Sequence, residues 1–180
     1  MRRRLLLHLL VFCTLAAMSS SAGAQGALSY EVPDGWTAAP ASSSMRVAEF
    51  TLPRADGDPE DGEAVIYYFQ GAGGSVQANL DRWTDQMLQP DGRSSRDLAT
   101  TQQLTVNGLA VTQVDVSGTY VAEIMPGQSA DRHHKPDYRL VAAVIETAAG
   151  PYFLKISGPR DTIGRWEDSI AAFVGSMEYE

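Results

Sequence analysis

Leu104-Thr105-Val106-Asn107-Gly108-Leu109-Ala110-Val111-Thr112-Gln113-Val114-Asp115-Val116 decides the fold. A two-residue hairpin turn needs positive φ at both central positions, and Asn-Gly is the pair that tolerates it best. Apolar residues recur on both sides of that pair. The stretch therefore predicts antiparallel strands over Leu104 to Val106 and Leu109 to Val116. Beyond them Ser117-Gly118-Thr119-Tyr120 extends the second strand, and Gly118 inside it marks a bulge or a close backbone approach. Tyr138 to Thr147 and Pro151 to Ser157 form another hairpin, turning at Ala149-Gly150. Hairpin follows hairpin, so the sheet is mostly antiparallel.

Working outward, Ala64 to Phe69 is apolar on both alternating faces, the pattern of a central strand covered on each side. Met45 to Leu52 supplies a neighbour. A short strand opens at Tyr30-Glu31-Val32 and stops at Pro33-Asp34-Gly35, with Trp36 over the core edge. Ser75 is placed to cap a helix whose stripe runs Val76, Leu80, Trp83 and Met87, ending at Pro90-Asp91-Gly92. Residues 122–137, with Pro126, Gly127, His133, His134 and Pro136, read as a surface loop. Gly158-Pro159 ends the sheet, Asp161 or Thr162 caps a last helix, and Ile163, Trp166, Ile170, Val174 and Met177 form its stripe. The class is α+β: a mostly antiparallel sheet of six or seven strands with two packed helices.

The N-terminus has a different character. Arg2, Arg3 and Arg4 precede an apolar run from Leu5 to Ala17, and Ala22-Gly23-Ala24 offers a small-residue cleavage site. The run is shorter than the about 20 residues of a spanning helix. Residues 1–24 are thus expected to be a cleaved signal peptide, residues 25–180 a single globular domain, periplasmic or secreted, with no stable membrane insertion. The one cysteine, Cys13, lies in the leader, which excludes disulfides, thiolate nucleophiles and cysteine-held metals from the mature chain. The whole chain carries −8, and losing the three leader arginines takes the mature protein to −11. That balance, with Lys and Arg scattered, argues against nucleic-acid binding.

Three clusters carry candidate chemistry. Gly71-Ala72-Gly73-Gly74-Ser75 joins a strand to a helix, where backbone N–H groups of Gly71, Gly73, Gly74 and Ser75 can cradle an anion. No Gly-Lys-Ser/Thr follows and Val76 stands where a dinucleotide fingerprint needs glycine, so a tight packing turn is the competing reading. Asp56, Asp58 and Asp61, with Glu60 and Glu63, form the densest acidic run and are candidate ligands for a hard divalent cation. Pro59 and the Tyr67 in the final ligand position depart from a calcium loop, and a solvated turn is the alternative. His133 and His134 are candidate metal ligands, yet adjacent side chains diverge. Asp115, Arg139 and Lys155 are charges within apolar strands, suited to lining a pocket or, more commonly, to pairing across strands. No Gly-x-Ser-x-Gly elbow or other catalytic constellation is present, and no cofactor is expected.

Tyr30-x-Val32-Pro33-x-Gly35-Trp36, followed by strands, one helix, a long antiparallel run and a terminal helix, resembles the PsbP-like fold, over residues 28–178. Tyr68-Phe69-x-Gly71-x-Gly73-Gly74-Ser75-Val76-x-Ala78-Asn79-x-Asp81-Arg82-Trp83, Val114 to Tyr120 and Lys135-Pro136-x-Tyr138-Arg139-Leu140 are similar to segments of an exported bacterial family of unknown function. The resemblance implies an α/β/α sandwich and brings no catalytic residues. The expectation is an exported, non-enzymatic domain acting by protein–protein interaction with an unidentified envelope protein. A periplasmic protein that binds a small ligand or a divalent cation is the alternative.

Overall fold

The computed structural model describes residues 27–124 and 130–180; the leader, its cleavage site, Pro126 and Gly127 lie outside them. In chain order the elements are β1 (Leu28–Ser29), β2 (Thr37–Ala39), β3 (Arg46–Leu52), β4 (Gly62–Tyr68), α1 (Val76–Thr84), β5 (Met87–Leu88) and α2 (Ser95–Leu98). Then come β6 (Thr100–Val106), β7 (Leu109–Tyr120), β8 (Lys135–Glu146), β9 (Tyr152–Pro159), α3 (Arg160–Arg165), α4 (Glu167–Gly175) and β10 (Glu178–Tyr179). The class is α+β as expected; among the described residues the main sheet has eight strands, against about six or seven expected, and there are four helices, against two.

Strands run β2-β3-β4-β9-β8-β7 across the sheet, and β5 and β6 share the far edge of β7. Every pairing is antiparallel. The β6–β7 turn has Asn107 at φ 48 and Gly108 at φ 85, with Val106 opposite Leu109, the geometry the sequence demands. Gly118 does both things expected of it. The ladder shifts register between Gly118 and Tyr120, and a Cβ on Gly118 would lie 2.6 Å from the Leu88 carbonyl oxygen.

Each face of the sheet carries an apolar cluster. Beneath α3 and α4 lies one cluster, with Leu52, Ile66, Leu154, Ile156, Phe173 and Met177 at its centre. Under α1 lies the second, with Leu80, Trp83, Met87, Leu140, Val144 and Phe153. The near-continuous apolar run of β8 follows from that double cover.

Several boundaries differ from the sequence reading for physical reasons. Ser75 caps α1 as expected, its Oγ accepting from Ala78 N–H at 3.2 Å. The helix stops at Thr84, whose hydroxyl donates back to the carbonyls of Leu80 and Asp81, and Met87 pairs instead with Tyr120 of β7 while remaining buried. Strand β6 starts four residues early, at Thr100, after the extra turn α2. Strand β9 runs through Gly158 to Pro159, opposite Arg139 and Tyr138. The final helix is broken at Trp166 (φ −97, ψ 10), whose indole N–H donates to Pro53 O at 2.9 Å. Tyr30 to Val32 is not a strand; Leu28 and Ser29 pair with Tyr179 and Glu178.

Candidate functional site

Helix α1 has nine residues, about 13 Å of rise, while the seven strand positions of the sheet span about 29 Å. Packed over β7 and β8, it leaves the same face of β4 and β9 without a helical lid. The result is a cleft of about 730 Å³. Its floor is Val65 and Tyr67 from β4, Lys155 and Ser157 from β9, and Tyr120 at the end of β7. Ala78, Asp81 and Arg82 on α1, with Asp85 just past its end, form one wall, and Arg46 and Glu63 the opposite rim. Ala122, Arg132 and His133 close one end.

Lys155 is the unusual member. It sits between Val65 and Ala142 in a row of paired residues crossing three strands, so its neighbours within the sheet are apolar. Its ammonium donates to Gln86 Oε1 at 2.6 Å and Tyr120 Oη at 2.9 Å, both neutral, and sits 5.0 Å from the Tyr120 ring centroid. Among the described residues no carboxylate forms an ion pair with it. Burial pulls its pKa down to about 8; Glu63 opposes that shift, and Arg46 and Arg82 add to it. Burial also pushes the Tyr120 phenol up to about 12, with Tyr67 and Glu63 acting in the same direction.

The other cations around the cleft are mostly answered. Arg46 bridges Glu49 and Glu63 at 2.9 and 3.2 Å and lies over the Tyr67 ring. Arg132 pairs with Glu123 at 3.3 Å, and Asp81 and Asp85 are held by Arg96 from α2. Arg82 bonds to the neutral Asn79 side chain. Among the described residues, Lys155 and Arg82 are thus the two positive groups of the cleft not matched to an acid. A desolvated ammonium beside a guanidinium is suited to receiving an anion, carboxylate or phosphate, which would supply the missing counter-charge.

Of the candidate residues singled out from sequence, Glu63, His133 and Lys155 line this cleft and the others fall elsewhere. Gly71, Gly73 and Gly74 all take positive φ, and the Asn79 amide donates to Gly73 O and Ser75 O at 2.8 Å, pinning the turn to the helix. A Cβ on Gly150 would lie 2.6 Å from Gly71 Cα, so the β4–α1 and β8–β9 turns touch backbone to backbone. Asp58 Oδ2 accepts Thr162 N–H at 2.8 Å, in the first turn of α3. Asp61 Oδ1 accepts Arg54 N–H at 2.9 Å, and Asp56 is exposed. Glu60 takes Lys135 at 2.7 Å and the Tyr138 hydroxyl; burial works against its ionisation, but these bonds keep its pKa below the usual carboxylate range. His133 lies at the end of the cleft. It stacks on Tyr120 at 5.5 Å in the cleft, its pKa lowered by burial and by Lys135, while His134 is exposed. Among the described residues no three His, Cys, Asp or Glu side chains converge as a metal set.

Of the three strand charges, Asp115 and Arg139 pair across β7 and β8 at 2.6 Å, and Lys155 lines the cleft. Its partners Gln86 and Tyr120 lie 69 and 35 residues away, a juxtaposition no local spacing reveals. The available signal was one lysine inside the apolar run Tyr152-Phe153-Leu154-Lys155-Ile156.

No family model and no curated protein matches the sequence. Among solved structures, the chain is similar to LpqN, involved in cell envelope biogenesis of Mycobacterium tuberculosis. The identity is 12%, the TM-score 0.52, and the match covers 86% of this chain and 84% of that one. It is also similar to cyanobacterial PsbP (CyanoP) from Synechocystis, at 10% identity and TM-score 0.46, over 93% and 98% of the two chains. A Pseudomonas aeruginosa protein of unknown function matches at 14% identity and TM-score 0.46, over 71% and 78%. The likeness to LpqN is one of fold.

Proposed function

We propose that the chain is an exported, non-enzymatic binding domain of the cell envelope whose Lys155 cleft takes a small anion. One observation carries this reading: among the described residues, the cation at the floor of an open cleft is held by the neutral groups Gln86 and Tyr120 and by no acid. A buried charge without a counter-charge is costly, and a ligand carboxylate or phosphate removes that cost. Arg82 and the stacked His133 and Tyr120 rings line the same space, so an anion carrying a planar group finds both charge and surface there. Export rests on the Arg2–Ala24 leader pattern. It accords with the envelope role of LpqN, which shares the fold. Among the described residues no helix is long and apolar enough to cross a membrane.

Calorimetric titration of the leaderless chain with citrate, benzoate and inorganic phosphate tests this. Saturable binding to at least one, weakened tenfold or more in Lys155→Gln with an unchanged circular dichroism spectrum, is expected. Absence of saturable heat with all three, or wild-type affinity in Lys155→Gln, would overturn the reading.

A further inference from the structure

The two edges of the sheet are built differently. Strand β2 has three residues and is followed by Pro40, a short edge of the kind that discourages further pairing. Strand β6 has seven, Thr100-Thr101-Gln102-Gln103-Leu104-Thr105-Val106, without a charge or a proline, and pairs only with β7. In a two-residue hairpin the closing pair, here Val106 and Leu109, exchanges both hydrogen bonds. Counting back by twos, Leu104, Gln102 and Thr100 also face β7. The N–H and C=O groups of Thr101, Gln103 and Thr105 therefore point outward. Among the described residues no other backbone segment bonds to them.

Beside this edge runs a second groove, about 430 Å³, between the sheet and α4. Gln102, Leu104 and Val106 line its sheet side, and Ile170, Ala171 and Val174 its helix side. Leu104 is 38% exposed there. At the Thr100 end, Asp115 and Glu167 share the single guanidinium of Arg139, at 2.6 and 2.9 Å, leaving one negative charge in excess. An added strand alternates its side chains, sending every second one toward the groove.

We propose that β6 is a strand-addition site for an extended segment of a partner protein, with apolar residues at alternate positions and a basic residue facing Asp115 and Glu167. Charge selects this occupant over a second copy of the chain. A second β6 brings no cation to the acidic end of the groove, and two chains of net charge −8 repel one another. The inference is independent of the Lys155 cleft, which opens on the opposite face of the sheet.

The test uses the leaderless chain and a labelled heptapeptide pool with Lys or Arg at either end, Val, Ile or Leu at alternate positions, and Thr between. Fluorescence anisotropy should show saturable binding. Methylating the alternate amides that meet β6 should weaken a selected peptide tenfold or more, and methylating the intervening amides should not. Gln103→Pro should abolish binding with an unchanged melting temperature, because its lost N–H faces outward and contributes nothing to the β7 ladder. The methylation series decides the matter if that variant unfolds. Failure of the whole pool to bind, or equal tolerance of both methylation patterns, would overturn the proposal. So would concentration-dependent self-association of the wild type that is lost in Gln103→Pro, which would make a second copy the occupant.

Discussion

Gly73 is seated against the Phe153 ring so closely that a Cβ would lie 2.6 Å from the ring's Cζ, and its φ is 126°. Phe153 is 1% exposed and belongs to the cluster under α1, so the ring cannot retreat without opening the core. Gly73→Ala should therefore cost about 2 kcal/mol or more, from backbone strain and overpacking together. Gly74→Ala, at φ 82 but with only Asn79 Nδ2 nearby at 3.9 Å, should cost about 1 kcal/mol. Urea midpoints of the two variants check the ordering.

Trp83 stands edge-on to the same ring, at 6.3 Å, and is 4% exposed. Truncation leaves a cavity between α1 and the sheet. Trp83→Ala should lower stability by about 3–5 kcal/mol, read as a fall in the denaturant midpoint. An unchanged midpoint would contradict the packing described for α1.

Pro159 stands at the N-cap of α3 with no side-chain acceptor, and Asp58 supplies one from 104 residues upstream. Asp58→Ala should cost about 1–2 kcal/mol, and Asp58→Asn, which keeps an acceptor, about half as much.

The same engagement bears on cation binding. With Asp58 on α3, Asp61 on Arg54 and Glu60 on Lys135, calcium would have to displace bonds that hold the loop. Calorimetry with calcium should give no stoichiometric heat. Stoichiometric heat that vanishes in Asp56→Asn/Asp58→Asn/Asp61→Asn would make the acidic loop a cation site.

Lys155 predicts a pH dependence with a definite sign. Its folded pKa of about 8 lies below the ordinary 10.5, so between those values the unfolded chain binds more protons and stability rises with pH. Below about pH 8 both states are protonated and the cost of the buried charge is constant. Above about pH 10 the sign reverses, because burial holds Tyr120 and Tyr138 neutral in the fold while unfolded phenols ionise. Urea midpoints should therefore climb between pH 8 and about 9.5, and Lys155→Met should flatten that climb.

What the sequence made legible was local. Asn107-Gly108 fixes a turn and Ser75 a cap through neighbours at most three residues away, and both stand as read. Met87 fits the helical stripe by its spacing, but pairing with Tyr120, 33 residues on, overrides that periodicity. The break at Trp166 depends on a bond to Pro53, and the engagement of Asp58 on a helix far along the chain. The cleft was hidden for the same reason, since it exists only once β4 and β9 pair and carry Lys155 beneath Gln86 and Tyr120.

Helix α1 divides its residues between two duties. Asn79, Leu80, Trp83 and Thr84 are buried against the fold, while Ala78, Asp81 and Arg82 face the cleft. Substitutions at Ala78 and Asp81 can alter the size and charge of the cleft without touching the first set, whereas Arg82 is tied to it through the Asn79 side chain. Homologues that diverge in ligand preference should therefore differ on this one wall while keeping the same melting behaviour, so that selectivity can drift through evolution at little risk to folding.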